Sequence, residues 1–191
     1  MKFNKTNPKE YNTYLKKRSI FSYLYRKFFL YPTLQKELIN PVLDVGCGIG
    51  DYLRFNKQSF GADINEFNIN ELLVSGYKAV LIENNILKFE DNYFNSVLLD
   101  NVLEHIREPL PLLKEVKRVL RKNGILLIGL PGIKGFKMDK DHKKNYSEVS
   151  LKNLVEKEGF TLIKIIRMPL NFKFLSKTMS QYCTYTYFKK I

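Results

Sequence analysis

Short apolar runs alternate with stretches of helical periodicity through the middle of the chain. The runs predict strands at residues 41–45, 59–63, 78–82, 96–100 and 124–130, and the stretches between them predict helices at 51–55, 65–75 and 110–121. A helix at 148–158 and strands at 160–167 and 181–188 follow. Because most of these strands are apolar on both faces, the pattern predicts an α/β fold: a Rossmann-like, doubly wound, mostly parallel sheet with an antiparallel edge.

The N-terminal segment has a different pattern. From about residue 11 to 30, apolar and aromatic positions interleave with Lys and Arg at helical spacing. This predicts one amphipathic helix that ends before Pro32 and belongs to a helical cap over residues 1–40. We expect its apolar stripe to pack on the rest of the protein, although a basic amphipathic helix can also lie on an anionic membrane.

No repeat or linker divides the 191 residues, so we expect a single domain over residues 1–191. Its parts are the cap, a ligand-binding core at 41–131 and a closing segment at 132–191. The two cysteines, Cys47 and Cys183, form no disulfide framework or metal-binding spacing, and no signal peptide or membrane-spanning stretch is present. These features predict a cytoplasmic protein.

The net charge of +13 is concentrated in the two flanks. Residues 1–40 carry nine basic against two acidic side chains, residues 41–131 ten against twelve, and residues 132–191 thirteen against five. Clustered cations favour an anionic partner such as RNA, phospholipid or a phosphorylated substrate. A lysine-rich solvated surface gives the same composition.

The first predicted strand runs directly into Gly46-Cys47-Gly48-Ile49-Gly50, where a helix begins. Glycines at such a junction let the backbone turn sharply and approach a ligand. The spacing differs from the GxGxxG of dinucleotide-binding folds, and Asp44 beside the loop suits a cationic amine better than a pyrophosphate. A tight structural turn is the alternative.

Asp63 ends the second predicted strand, where folds of this kind bind a ribose. Its two oxygens can accept hydrogen bonds from both ribose hydroxyls. Asp63 could instead cap the helix that begins near Asn65. Together with the glycine loop, it indicates a nucleoside-containing cofactor.

Four ordered segments resemble class I S-adenosylmethionine-dependent methyltransferases. VLDVGCGIG at 42–50 and GADI at 61–64 resemble the first two motifs of that family. NVLEHI at 101–106 resembles the turn after its fourth strand, and EVKRVLRKNGIL at 115–126 resembles the helix and strand that follow. The resemblance covers about residues 42–160 and is strongest to the methyltransferase-11-type, small-metabolite branch that includes quinone-biosynthesis enzymes.

This resemblance implies S-adenosylmethionine as the cofactor. The implied cofactor-binding residues are Asp44, Gly46, Cys47, Gly48, Asp63, Ile64, Asn84, Asn85, Asp100 and Asn101. Asp44 and the glycines would hold the methionine part, and Asp63 the ribose hydroxyls. Ile64 would lie against the adenine, whose amino group Asn84 or Asn85 would meet, although the family often has an acid there.

The candidate catalytic residues are His105, His142 and Tyr146. Methyl transfer from a sulfonium depends mainly on alignment, and a base is needed only when the acceptor must lose a proton. His105 follows the fourth strand. It could equally be a structural histidine whose side chain holds the loop after that strand in place. His142 and Tyr146 lie in a polar segment at 135–147 and are candidates for the acceptor site. The alternative is that this segment is a solvated loop and that Ser147 is the N-cap of the next helix.

Glu104 and His105, with Asn101, resemble an E-x-x-E-H metal site of some relatives. Asparagine replaces the first acid here and is a poor ligand for a divalent ion. We therefore expect no metal.

The sequence thus predicts a methyltransferase that acts on a small-molecule or glycan-type acceptor and leaves S-adenosylhomocysteine. A non-catalytic binding module on the same fold is one alternative. A second is an RNA- or lipid-directed methyltransferase that uses the basic flanks, although no NPPY-like tetrapeptide for adenine-amino methylation follows the fourth strand. The glycine spacing disfavours a nicotinamide-dependent oxidoreductase.

Overall fold

The computed structural model describes residues 7–17 and 19–191, so residues 1–6 and Arg18 of the predicted cap lie outside the described residues. Its strands are β1 (Val42–Val45), β2 (Phe60–Asp63), β3 (Lys78–Leu81), β4 (Phe94–Asp100), β5 (Leu120–Pro131), β6 (Phe160–Met168) and β7 (Cys183–Lys190). They form one sheet in the order β3-β2-β1-β4-β5-β7-β6. Strands β1 to β5 pair in parallel, and β7 is antiparallel to both β5 and β6. The predicted fold class is confirmed.

Helices precede, connect and follow these strands. They are α1 (Pro8–Lys16), α2 (Ile20–Tyr25), α3 (Tyr31–Gln35), α4 (Asp51–Phe55), α5 (Glu66–Val74), α6 (Leu110–Val119), α7 (Ile133–Met138), α8 (Glu148–Lys157) and α9 (Leu175–Thr178). A π turn covers Arg26–Leu30, and a 3₁₀ turn covers Leu103–His105. Within the described ranges, no helix is long and apolar enough to cross a membrane.

Both faces of the sheet are buried, as β4 illustrates. Val97 and Leu99 join the larger core cluster with Leu113 of α6, whereas Leu98 joins a second cluster with Tyr52 of α4. Since successive side chains of a strand point to opposite faces, α4 and α6 cover opposite sides of the sheet. This layering explains the continuous apolar runs of the central strands.

The prediction of one N-terminal helix over residues 11–30 is wrong. Helix α1 ends at Lys16, and α2 begins after Ser19, whose hydroxyl oxygen accepts a hydrogen bond from the Phe21 N–H. The side chain of Ser19 thus supplies an N-cap, which a helical-periodicity pattern does not register.

Helical structure also continues past Pro32, to Gln35, instead of ending before it. A proline ring inside a regular helix meets the carbonyl group four residues earlier. Here the preceding turn is a π turn, in which the Tyr31 N–H donates to the carbonyl oxygen of Arg26, five positions back. The wider turn, together with the position of Pro32 at the start of α3, accommodates the ring.

The apolar stripe of the cap packs on the sheet only in part. Leu30 and Leu34 are buried in the second core cluster, as expected. Phe21, Phe28 and Phe29 are instead mostly exposed to solvent. The cap therefore presents aromatic surface that the rest of the described chain does not cover.

The segment after β5 is less irregular than the predicted loop at 135–147, because α7 takes up its first residues. Ser147 is the N-cap of α8, as the structural alternative predicts. Its hydroxyl oxygen accepts from the Ser150 N–H at 3.1 Å, and the Ser150 hydroxyl oxygen accepts from the Ser147 N–H at 2.8 Å. The two serines form a capping box.

We expect Ser147→Ala to lower the free energy of unfolding by about 1 kcal/mol, because it removes an acceptor from the first turn of α8. Ser147→Asn supplies a side-chain acceptor and should retain most of the stability. Urea unfolding followed by circular dichroism measures both variants. Equal losses for Ala and Asn would show that the cap contributes nothing.

Candidate functional site

A cavity of about 760 Å³ opens at the carboxyl ends of β1, β2 and β4. Strand β1 lies between β2 and β4, and the helices that follow β1 and β4, α4 and α6, cover opposite faces of the sheet. The two connections diverge and leave a crevice between them. In open α/β sheets this switch point is where ligands bind.

The glycine loop forms one wall of the cavity. Gly46, Gly48 and Gly50 all have left-handed backbone conformations, with φ of 76°, 54° and 80°. A Cβ atom on Gly46 would lie 2.6 Å from Cγ2 of Val102, which packs against the loop. Glycine is therefore required at this position both by conformation and by contact.

Asp63 connects the loop to the next helix. Its Oδ2 accepts from the Gly48 N–H at 2.7 Å, and its Oδ1 accepts from the Asn65 N–H at 2.7 Å. The N-cap of α5 is Asn65 itself, whose side chain accepts from the Phe67 N–H. Capping alone does not account for Asp63, whose buried carboxylate also lines the cavity.

The carboxylates of Asp44, Asp63 and Asp100, which lie at the carboxyl ends of three neighbouring strands, line the same cavity. Burial raises the pKa of the Asp44 carboxyl well above its usual range, and the nearby carboxylates of Asp100 and Asp63 raise it further. Burial also raises the pKa of Asp63, while the backbone N–H donors oppose that effect. A cationic ligand group would stabilise this concentration of negative charge.

The side chain of Arg26, in the N-terminal cap, forms an ion pair with one of these carboxylates, that of Asp100. Its Nη1 lies 3.3 Å from Oδ2 of Asp100 and 3.2 Å from the hydroxyl oxygen of Tyr31. The Tyr185 hydroxyl donates to Oδ1 of Asp100 at 3.1 Å, and the Asn101 side-chain amide donates to the same oxygen at 2.8 Å. Asp100 is thus held by groups from β7, from the cap and from its own turn.

Arg26 and Tyr185 are site residues that the sequence analysis missed. In the sequence, Arg26 belongs to the polar face of the expected helix, and Tyr185 to an aromatic closing strand. One signal was available: no acidic residue lies within four positions of Arg26 to pair with it along a helix. Such an arginine needs a partner from elsewhere in the fold when it is buried.

His105 and His142 come together across the far wall of the cavity, with ring centroids 4.7 Å apart. Nδ1 of His142 lies 2.9 Å from the carbonyl oxygen of Phe136, and its Nε2 lies 3.8 Å from Oε1 of Glu104. Burial raises the pKa of the Glu104 carboxyl to about 8. The pKa of His105 is lowered by burial and by its proximity to His142.

The predicted residues divide into two groups by position. Those that line the cavity are Asp44, Gly46, Cys47, Gly48, Asp63, Ile64, Asp100, Asn101, His105 and His142. Asn84 and Asn85 lie in a left-handed turn after β3, where Ile82 supplies the cavity wall. Tyr146 packs against the larger core cluster with its hydroxyl buried. The roles of all these residues stay predictions.

Comparisons with known proteins agree with this geometry. Residues 43–128 match the family model described as a methyltransferase domain. An uncharacterized protein of Methanocaldococcus jannaschii is 33% identical over 134 residues, which are 69% of this chain and 51% of the relative. Phosphoethanolamine N-methyltransferase 2 of Caenorhabditis elegans is 27% identical over 153 residues, which span 69% of this chain and 35% of that enzyme. The chain thus spans about half or less of the length of these curated relatives.

Among solved structures, a SAM-dependent methyltransferase of Aquifex aeolicus superimposes with a TM-score of 0.69. The match covers 98% of this chain and all of the other, at 21% sequence identity. At 21% sequence identity, this similarity shows a shared fold and nothing further.

We expect Arg26→Met to lower the free energy of unfolding by about 2 kcal/mol, because it leaves the partly buried Asp100 without its cationic partner. Urea unfolding measures the loss. The exposed Arg107 provides the control, since Arg107→Met should change stability by less than about 0.5 kcal/mol.

Adding Asp100→Asn to Arg26→Met should restore part of the stability, because the uncompensated charge is then removed. If Arg26→Met were no more destabilising than Arg107→Met, the ion pair would not hold the cap to the sheet.

Proposed function

We propose that the chain is a class I S-adenosylmethionine-dependent methyltransferase, which its match to a methyltransferase-domain model over residues 43–128 supports, and that it transfers the cofactor's methyl group to a small-molecule or glycan-type acceptor. The products are the methylated acceptor and S-adenosylhomocysteine. The observation that carries the proposal is the placement of Asp44, Asp63 and the left-handed glycine loop around one cavity at the switch point of the sheet.

The residues of the cavity fit this cofactor. The buried Asp44 carboxylate suits the ammonium group of the methionine part, because a cation offsets the cost of its burial. Each carboxylate oxygen of Asp63 accepts one hydrogen bond from a backbone N–H group. The remaining lone pairs of the two oxygens suit the ribose hydroxyls. Ile64 offers an apolar contact for the adenine, and Asn84 or Asn85 remains the proposed partner of the adenine amino group.

When bound, S-adenosylmethionine supplies an activated methyl group on a sulfonium. The chain's task is then to align the acceptor and to exclude water. His105 and His142 line the acceptor side of the cavity, and either imidazole could accept a proton from an acceptor hydroxyl or amine. Tyr146 is a less direct candidate, because its hydroxyl is buried behind that wall.

Two lysines of the cavity wall favour an acceptor that carries an anionic group. Lys17 and Lys140 line the cavity from the cap and from the segment after β5, and they suit an anionic group on the acceptor. The similarity to a phosphoethanolamine N-methyltransferase, whose name indicates a small phosphate-bearing amine, supports the same class.

We expect isothermal titration calorimetry to detect S-adenosylhomocysteine binding by the native chain and Asp63→Ala to weaken it at least about 100-fold. Two hydrogen bonds to a charged group contribute about 3 kcal/mol or more, which corresponds to that factor. Glu66→Ala, which changes an exposed acid on α5, should leave the affinity unchanged. A native chain that binds no S-adenosylhomocysteine would exclude the proposed function.

A second candidate is an acceptor presented at an anionic membrane. It is favoured by the exposed aromatic side chains of Phe21, Phe28 and Phe29 in the cap, beside Lys27. Aromatic residues interleaved with lysines are typical of segments that lie in a lipid interface. Helix α1 and α2 residues also line the cavity, so docking there would bring its mouth close to the lipid.

We expect the chain to co-sediment with phosphatidylglycerol vesicles and not with phosphatidylcholine vesicles. The double variant Phe28→Asp/Phe29→Asp should bind at least about tenfold more weakly, because burying one phenylalanine contributes about 1.5–3 kcal/mol. Val74→Asp, which changes a 91% exposed residue on α5, is the matched control. Equal binding by both variants, or salt-sensitive binding to RNA in place of vesicles, would exclude this second candidate.

A further inference from the structure

The carboxylate of Glu104 has two buried oxygens without a hydrogen-bond donor. Glu104 is 1% exposed, and neither oxygen has a hydrogen-bond partner among the described residues. A buried polar group costs free energy unless it is satisfied, and almost all such groups in folded proteins are. The position therefore calls for a cation or a donor that the described chain does not supply.

The two histidines beside Glu104 are oriented by backbone carbonyl groups. Nδ1 of His142 lies 2.9 Å from the carbonyl oxygen of Phe136, and Nδ1 of His105 lies 3.3 Å from that of Asp141. Because a carbonyl oxygen only accepts, Nδ1 is the protonated nitrogen in each contact. In a neutral ring Nε2 is then the nitrogen with the ligand lone pair, and a backbone carbonyl group on the other ring nitrogen is typical of metal-ligating histidines.

Nε2 of His142 faces Oε1 of Glu104 at 3.8 Å. When the ring is neutral and Glu104 is ionised, both atoms are acceptors, and a proton on the Glu104 carboxyl would make no hydrogen bond across this distance. If the ring were protonated, the distance would still exceed that of a hydrogen bond. Two ligands of one tetrahedral ion, each about 2.1 Å from it, lie about 3.4 Å apart, which is close to the observed separation.

We propose that Glu104, His105 and His142 bind a divalent transition-metal ion at the acceptor side of the cavity. One ligand atom from each of the three lies within 4.8 Å of the others, so small side-chain shifts bring all three to bonding distance. Two imidazoles and one carboxylate suit Zn²⁺, Co²⁺ or Fe²⁺ better than Mg²⁺ or Ca²⁺.

The third ligand comes from a different element than the sequence analysis considered. Asn101 replaces an acid in the turn after β4, and for that reason the sequence predicts no metal. The structure brings His142 to Glu104 from the segment after β5, and the N–H groups of Lys143 and Lys144 both donate to the backbone carbonyl oxygen of Glu104. These two hydrogen bonds hold the segment against the turn.

The ion would have a role in the proposed reaction, and this step rests on the proposed function. Since His105 and His142 line the cavity, an open coordination position would face the acceptor. An acceptor hydroxyl bound there would release its proton to solvent more readily, with neither ligating imidazole acting as the base, and its oxygen would be held in place to take the methyl group. Asp139, whose Oδ2 lies 3.8 Å from Nε2 of His142, is close enough to serve as an additional ligand.

The test is a cobalt titration of untagged, chelator-treated protein, followed by visible absorption, with Zn²⁺ as the competitor. We expect one equivalent of Co²⁺ to give d–d bands that Zn²⁺ abolishes. His142→Ala and Glu104→Gln should weaken Co²⁺ binding at least about 100-fold, since loss of even a second-shell contact costs 10- to 100-fold in affinity. The control Glu108→Gln changes an exposed carboxylate close to the same turn and should bind as the native chain does.

A measurement on the native chain covers the case in which a variant fails to fold. The sequence contains only two histidines, so Zn²⁺ should shift the ¹⁵N resonances of both Nε2 atoms in histidine-labelled protein. Unshifted resonances, or a thiolate charge-transfer band that places the ion on a cysteine, would overturn the proposal. Calorimetry with S-adenosylhomocysteine in the absence of metal tests the methyltransferase function separately, so the failure of one can be distinguished from the failure of the other.

Discussion

The divergence of the connections after β1 and β4 is the constraint on which the site depends. Parallel strands need crossovers, and the crossovers from these two neighbours go to opposite faces of the sheet. Neither crossover then fills the space above their carboxyl ends. Asp44, Asp100 and the glycine loop meet there because of this topology, although they are far apart in sequence.

Much of this arrangement could be predicted from the sequence because it follows from local rules. The strands that carry Asp44, Asp63 and Asp100 are apolar runs, and the glycine loop has a recognisable spacing between a strand and a helix. The carboxyl ends of parallel strands lie at the same edge of a sheet. The position of a polar residue that ends such a strand can therefore be predicted before the packing of the helices is known.

The features of the site and of the cap that the sequence did not predict depend on local geometry or on contacts between distant segments. The Arg26–Asp100 pair joins residues from the cap and from β4, and nothing in the sequence near either residue identifies its partner. The break at Ser19 and the π turn before Pro32 depend on caps and local geometry, which hydrophobic periodicity does not encode. His142 likewise reaches Glu104 only because two backbone hydrogen bonds fold its segment over the turn after β4.

The position of β7 affects the order in which the chain can assemble as it leaves the ribosome. Among the residues that the structure describes, β6 pairs only with β7, which connects it to the parallel strands. During synthesis β6 emerges first and has no edge to join, so the sheet stays open beyond β5 until residues 183–190 have emerged. Tyr185, which donates to Asp100, arrives in that same strand. The hydrogen bonding around Asp100 is therefore completed only after β7 has emerged, and before then a nascent chain has the glycine loop without the full set of groups that fix Asp100.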